Sequence, residues 1–362
     1  MQERLFSKRI KGYRPITYFE NGLILARGAD LFFSDLQFSK IKHILKLPIY
    51  SKFKNKLSYI NCTSRLLRLN SSFGLIINNK NLLIKTKAGV FLCDLKNKNV
   101  LRENVDILGN PFYLLKSALR NTVLIGDYSY NIEKKRCSIY ERSQKGNWST
   151  LYSFPRGTIN HIHAIYEDLE NNCFYILTGD FGKSSSIWKA DCNFENVNIH
   201  SHHGQSTRAC WLMQDKDYLY YVSDRQDKIN YFYRLEKNAK SNPIPYPLFP
   251  VNGPSINMSA CSNSNYVFST VVEPISVERN TFTTLFDSQL PPGVLSKNIF
   301  VYYGSPKNGF QIIYQAMKDF LPPRLFQFGD IYFPTGVNQS NFLHFYEQSS
   351  KNHGISSVVL GL

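Results

Sequence analysis

The sequence predicts an all-β protein: a single β-propeller domain over 1–362, built of four-stranded antiparallel blades, seven of them, with six as the alternative count. Three observations carry this expectation. Short runs of aromatic and β-branched residues recur along the chain, each bounded by Gly, Asp, Asn or Ser, which is how hairpin strands read. One motif occurs twice in succession between His161 and Arg225. Its first copy is His161-Ile-His-Ala-Ile-Tyr, Cys173-Phe-Tyr-Ile-Leu-Thr-Gly-Asp180 and Ser186-Ile-Trp-Lys-Ala-Asp191; its second is Arg208-Ala-Cys-Trp-Leu-Met, Tyr218-Leu-Tyr-Tyr-Val-Ser-Asp224 and Asn230-Tyr-Phe-Tyr-Arg-Leu-Glu236. Units of this kind follow one another at roughly 45 to 65 residues, close to the period of propeller blades.

In order, the first blade reads Tyr18-Phe-Glu-Asn-Gly, Leu23-Ile-Leu-Ala-Arg-Gly, Asp30-Leu-Phe-Phe-Ser-Asp35 and Lys40-Ile-Lys-His-Ile-Leu. The second is expected to open at Arg65-Leu-Leu-Arg-Leu and the third at Pro111-Phe-Tyr-Leu-Leu, with Thr122-Val-Leu-Ile-Gly-Asp127 as its second strand. The duplicated motif supplies the fourth and fifth. A sixth opens at Ser255-Ile-Asn-Met-Ser and carries Pro291-Pro-Gly as a loop; a seventh opens at Arg324-Leu-Phe-Gln-Phe. The one helix-like stretch, Gln311 to Phe320, is short enough to be strand plus loop.

With 43% hydrophobic and 14% aromatic residues the chain can bury a large core, which excludes general disorder. A formal charge of +16 favours acidic partners: an acidic glycan or lipid-linked saccharide, with peripheral contact to an anionic membrane as a further expectation. No RNA- or DNA-module motif is present, so nucleic acid is not an expected partner. Seven scattered cysteines without a Cys-x-x-Cys pattern argue for a reducing, cytoplasmic setting, and the first ten residues lack an apolar signal core.

Blade geometry concentrates chemistry. In an antiparallel blade the innermost strand starts at the edge where the second strand ends, so the residues at those edges should share one mouth. From strand starts come Arg65, His161, His163, Arg208 and Arg324; from strand ends come Asp127, Asp180, Asp224 and Glu273, and Gln205 lies on the connection into the fifth blade. Asp180, Asp224, Asp127, His161 and His163 are the catalytic candidates, because carboxylates and imidazoles supply acid, base or nucleophile. Arg208, Arg324, Arg65, Glu273 and Gln205 are the substrate-binding candidates, since arginine holds carboxylates in bidentate fashion. For each Asp taken alone, capping of a turn is the competing role. No cofactor is expected; the metal alternative would gather His161, His202, His203 and Gln205. Gly179-Asp-Phe-Gly-Lys-Ser184 is not a phosphate loop, as it lacks the first Gly and a following helix.

At Ser34-Asp-Leu-Gln-Phe-Ser and Lys189-Ala-Asp-Cys-Asn-Phe the chain resembles the Asp-box of the sialidase-like (BNR) propellers, with Asp35 and Asp191 at the box Asp. Gln37 and Asn193 stand where the box has Gly, and the Trp is missing from both. The stretch 159–225 is similar to BNR-type propeller proteins of bacterial surface-polysaccharide contexts. The resemblance implies that Asp35 and Asp191 are turn residues rather than catalytic ones, and that the chain acts on a glycan in the manner of a glycoside hydrolase. The sialidase arginine triad and Tyr–Glu pair find no counterparts. Three functions remain open: a carbohydrate-active enzyme on an acidic glycan, a non-catalytic glycan- or protein-binding propeller, and a metal-dependent polysaccharide lyase.

Overall fold

The computed structural model describes residues 7–70, 72–111, 113–239, 241–275, 285–351 and 354–361. Residues 1–6, on which the expectation of no signal segment partly rests, and Phe112 of the expected third blade lie outside them.

Strand β1 (Ser7–Lys11) precedes six sheets made of consecutive strands. They are β2 to β5 (Arg14–Phe19, Gly22–Arg27, Asp30–Asp35, Ile41–Lys46), β6 to β9 (Phe73–Ile76, Asn81–Thr86, Gly89–Asp94, Asn99–Arg102) and β10 to β13 (Leu115–Ser117, Thr122–Gly126, Cys137–Arg142, Trp148–Phe154). There follow β14 to β17 (His161–Asp168, Cys173–Gly179, Ile187–Asp191, Val197–Ser201), β18 to β21 (Met213–Gln214, Tyr218–Val222, Asn230–Glu236, Tyr246–Val251) and β22 to β25 (Asn257–Ala260, Tyr266–Ser269, Asn298–Ser305, Gly309–Met317). The seventh sheet takes β26 (Asp330–Tyr332), β27 (Phe342–Ser350) and β28 (Gly354–Gly361) from the end of the chain and β1 from its start, with Ser7 opposite Leu360 and Lys11 opposite Ser356. Seven four-stranded antiparallel sheets make a seven-bladed β-propeller, as the repeat predicted.

By contact density the chain forms two compact units: residues 1–84, 92–101 and 257–362, and residues 85–91 and 102–256. In the second, the facing sides of the third and fourth sheets share a core of Leu124, Ile139, Phe154, Ile165, Phe174 and Trp188. In the first, Val267, Ile299 and Val301 meet Ile331, Phe345 and Val358, while Leu23 and Leu25 meet Val359. Strands with a neighbouring sheet on each side bury both faces, so β15 (Cys-Phe-Tyr-Ile-Leu-Thr-Gly) is buried throughout and reads as a continuous apolar run rather than an alternating one.

Two of the sequence-assigned blade openings are helical. Arg65 lies in α2 (Asn61–Leu66), which follows α1 (Lys52–Ser58), so the second blade opens only at Phe73. Leu and Arg are good helix formers, and Arg-Leu-Leu-Arg-Leu lacks the two-residue alternation of a half-buried strand. Arg324 lies in α3 (Pro323–Phe326), whose Pro stands at the first helical position. The seventh blade therefore starts at Asp330. Glu273, expected at a strand end, falls beyond the end of β23 at Ser269. The helix-like stretch from Gln311 is strand, within β25.

The two Asp-box-like turns are built alike. Asp35 accepts main-chain N–H bonds from Gln37, Ser39 and Lys40, and Asp191 accepts them from Asn193, Glu195 and Asn196. Each caps the turn between the third and fourth strands of its sheet, a carboxylate standing in for missing backbone partners.

Candidate functional site

Antiparallel register brings the site together locally. In the fourth sheet His161, the first residue of β14, pairs with Gly179, the last of β15, so Asp180 follows directly beside the imidazole. In the fifth, a bridge between Ala209 and Ser223 and the bond from Asp224 N–H to Arg208 C=O (2.8 Å) set Arg208 beside Asp224. His161, His163, Asp180, Arg208 and Asp224 therefore meet, all within the 102–256 unit.

The pairing of β14 with β15 slips between Ile162 and Ala164, leaving His163 as the extra residue of a β-bulge. Such a bulge re-aims a side chain. The His163 ring turns over Gly179, where an added Cβ would lie 2.3 Å from the ring's Cε1, so only glycine fits. The His161 and His163 Nε2 atoms are 3.0 Å apart, and Asp180 Oδ1 is 3.4 Å from the first and 3.5 Å from the second. The other ring nitrogens are committed: His161 Nδ1 to Ser129 C=O at 3.1 Å, and His163 Nδ1 to Ala209 C=O at 2.8 Å. A carbonyl only accepts, so each Nδ1 carries the proton, and in the neutral rings each Nε2 presents a lone pair. With the rings neutral, three electron-rich atoms thus converge, and the nearest positive group is the Arg208 guanidinium, 3.2 Å from Asp180 Oδ1.

Charge around the cluster is graded by burial. Burial works against ionisation of Asp180, but bonds from the His161 and His163 rings whenever these carry a proton on Nε2, and the nearby Arg208 guanidinium, outweigh it and hold the carboxyl well below the ordinary range. Burial lowers the His163 pKa, which favours the neutral ring. Arg208 Nη2 bridges Asp180 Oδ1 (3.2 Å) and Asp224 Oδ2 (2.9 Å). Behind it, Cys210 Sγ lies 3.5 Å from both His163 Nδ1 and Asp224 Oδ2, and burial pushes its thiol well up, so it stays protonated. The Tyr128 ring packs on His161 with centroids 4.4 Å apart. On the solvent side Phe181 is 56% exposed and its ring carries the Arg208 guanidinium at 5.5 Å.

The remaining candidates have other duties. Gln205 donates to Asp180 C=O (2.7 Å) and Ser185 Oγ (3.1 Å), fixing the connection that carries Asp180. His202 is bonded to Ser185 and Ser186, and His203 to Asn242, so the histidines that meet are 161 and 163 rather than 161 with 202 and 203. Asp127 is buried, with its oxygens on the N–H groups of Leu108 and Ser138, and burial pushes its pKa up to about 6. Arg65 is held by Asp319, Ser349 Oγ and Phe326 C=O, and Arg324 donates to Ile275 C=O. Cys210, the His163 bulge and the role of Gly179 escape sequence reading. A cysteine in apolar strand text reads as a small hydrophobe, and a bulge leaves no mark in the pattern.

No family profile matches the chain, and comparison with curated proteins finds no match. Among solved structures it is similar to a selenomethionine-substituted virginiamycin B lyase from Staphylococcus aureus, with a TM-score of 0.59 and 8% identity over 99% of this chain and 100% of that one. It is also similar to an oligogalacturonate lyase in complex with manganese (TM-score 0.60, 11% identity, 99% and 96% covered) and to the AfRom2 CNH domain (0.55, 8%, 99% and 99%). Likeness at this identity speaks to the fold, and it is the propeller fold that the chain shares with them.

Proposed function

We propose that this chain is a metal-assisted carbohydrate-active enzyme that cleaves an acidic glycan by elimination, at the cluster of His161, His163 and Asp180. The observation that carries the reading is the convergence of the two Nε2 atoms and Asp180 Oδ1 within 3.0–3.5 Å, each Nδ1 being tied to a main-chain carbonyl. Donor atoms bonded to one divalent ion at about 2.0–2.2 Å stand roughly 3.3–3.6 Å from one another at tetrahedral angles and roughly 2.8–3.1 Å at right angles. The residues present therefore fit such an ion, with imidazole and carboxylate suiting manganese or zinc. When bound, it would polarise a substrate carboxylate as a Lewis acid.

The chain's own residues supply the rest. Carbonyls 129 and 209 fix the tautomer and aim of each imidazole. Arg208 balances the two aspartates, and Phe181 offers an exposed ring face at the edge of the cluster for a sugar to stack on. The overall positive charge draws a polyanionic substrate.

Elimination is favoured over glycoside hydrolysis by the position of the carboxylates. Hydrolysis needs two carboxyl groups on either side of a glycosidic bond. Asp180 and Asp224 instead share one guanidinium nitrogen, and Asp224 is buried behind it. Two of the similar folds are lyases, one of them described with manganese, in keeping with this reading.

The test is metal analysis of protein purified without chelators, followed by incubation with uronate-containing oligosaccharides. The expected result is a bound divalent ion and an unsaturated product that absorbs in the ultraviolet. Metal-free protein that releases a reducing sugar without unsaturation would favour hydrolysis, and saturable binding without product would leave a glycan-binding propeller.

A further inference from the structure

From Leu36 to Cys93 the chain has no Asp or Glu across 58 residues, yet it carries 11 Lys and Arg. Helices α1 and α2 lie in the middle of this stretch. Their polarity is inverted relative to an ordinary surface helix. The buried residues of α1 are Asn55 and Ser58. The Asn55 amide donates to Asp30 Oδ2 (2.9 Å) and accepts from Ala29 N–H (3.0 Å), and Ser58 covers Gly28, where an added Cβ would lie 1.9 Å from its Oγ. The outward side carries Lys52, Lys54 and Lys56 together with Phe53, which is 71% exposed. None of the ion pairs among the described residues involves these three lysines.

In α2, Ser64 and Arg65 face inward, while Ile60, Leu66 and Leu67 flanking them are exposed. The carboxylate that holds Arg65 belongs to Asp319, and the next residue, Phe320, is 90% exposed. Large apolar side chains turned to solvent beside lysines that take part in no ion pair among the described residues are the composition of a surface that lies on a membrane: the apolar groups enter the headgroup boundary and the lysines meet anionic lipid.

We infer that the α1–α2 face docks this protein on an anionic lipid bilayer. Acid-free sequence and lysines without a carboxylate partner among the described residues argue for an anionic partner, and Phe53 and Phe320 argue for one with an apolar interior, which a soluble polyanion lacks. The inference stands apart from the proposed chemistry, because it uses none of the residues of that site.

The full chain is floated with vesicles of phosphatidylcholine alone or mixed with phosphatidylglycerol, at low and high salt. It is expected to bind the mixed vesicles, and to bind them less as salt is raised. The variant Lys52→Glu/Lys54→Glu/Lys56→Glu should lose binding about a hundredfold, on roughly fivefold per lysine at an anionic surface. A second variant, Phe53→Ser/Phe320→Ser, should bind more weakly and keep its salt dependence. Circular dichroism matching wild type confirms that both variants fold. The inference is overturned by equal affinity for the two vesicle types, by undiminished binding of the lysine variant, by capture of polyanions with no vesicle binding, or by self-association through this face in the absence of lipid.

Discussion

His161 and His163 present their Nε2 atoms to each other at 3.0 Å, while their Nδ1 atoms are engaged by the carbonyls of Ser129 and Ala209. With both rings neutral this contact opposes two lone pairs, a repulsion that a cation held between them would relieve. His161→Ala and His163→Ala should therefore each lower the affinity for a divalent ion by more than the ten- to hundredfold typical of removing an outer-shell partner. Titration of metal-free protein with manganese or zinc measures this. Unchanged affinity in both variants would mean that the rings instead share a proton.

Gly179 tests the same cluster without touching a donor. Gly179→Ala would place a methyl 2.3 Å from the His163 ring, so the ring has to swing away. Metal affinity should fall roughly ten- to hundredfold. Supplying the metal at higher concentration should restore activity, which distinguishes displacement of a ligand from loss of the fold.

Arg208 is the counter-charge of two carboxylates, one of them buried. Arg208→Met should destabilise the protein by about 3–5 kcal/mol, the cost of leaving a buried charge without its partner. Asp224→Asn added to Arg208→Met should recover part of that loss. Urea unfolding of the single and double variants gives the comparison.

Arg65, a substrate-binding candidate by sequence, is buried in an ion pair with Asp319 and bonded to Ser349. Arg65→Met should cost about 3 kcal/mol of stability. Metal content and KM should match wild type, which steady-state kinetics below the unfolding temperature will show.

Asp330 is wholly buried, accepts from Asn257 and Ile331 N–H, and has its pKa pushed by burial from 3.8 up to about 7. A carboxyl whose folded pKa is raised contributes its stability fully below pH 3.8 and loses it as pH rises through about 7. Asp330→Asn should therefore gain on wild type as pH goes from 5 to about 7, by up to about 1.4 kcal/mol for each pH unit between the unfolded and folded pKa values, and the difference should level off above that. Melting temperatures of both proteins across that range check it. A difference independent of pH would show that Asp330 is ionised throughout.

Legibility in the sequence followed the range of the interactions involved. Strands such as Cys173–Gly179 and Tyr218–Val222 announce themselves because neighbours two apart share a face, and turn residues mark where each stops. Antiparallel pairing then dictates that a strand start lies beside a strand end, which is why the sequence places His161, Asp180, Arg208 and Asp224 at the edges of their sheets. Arg65 and Arg324 lie in helices because Leu- and Arg-rich text serves helix as readily as strand, and only packing decides between them.

The sequence by itself determined the all-β repeat of four-stranded blades and the strand edges at which ionisable groups lie, since both follow from local pattern and pairing, while the structure settled seven blades over six. Tertiary structure decided which of those groups touch. The bulge at His163, the bare Gly179 beneath its ring, the carbonyls that fix both imidazoles and the outward turn of Phe53 depend on where distant backbone comes to rest. No periodicity in the chain records those contacts, because a shift of a few tenths of an ångström or a single extra residue in a ladder is enough to make or break them.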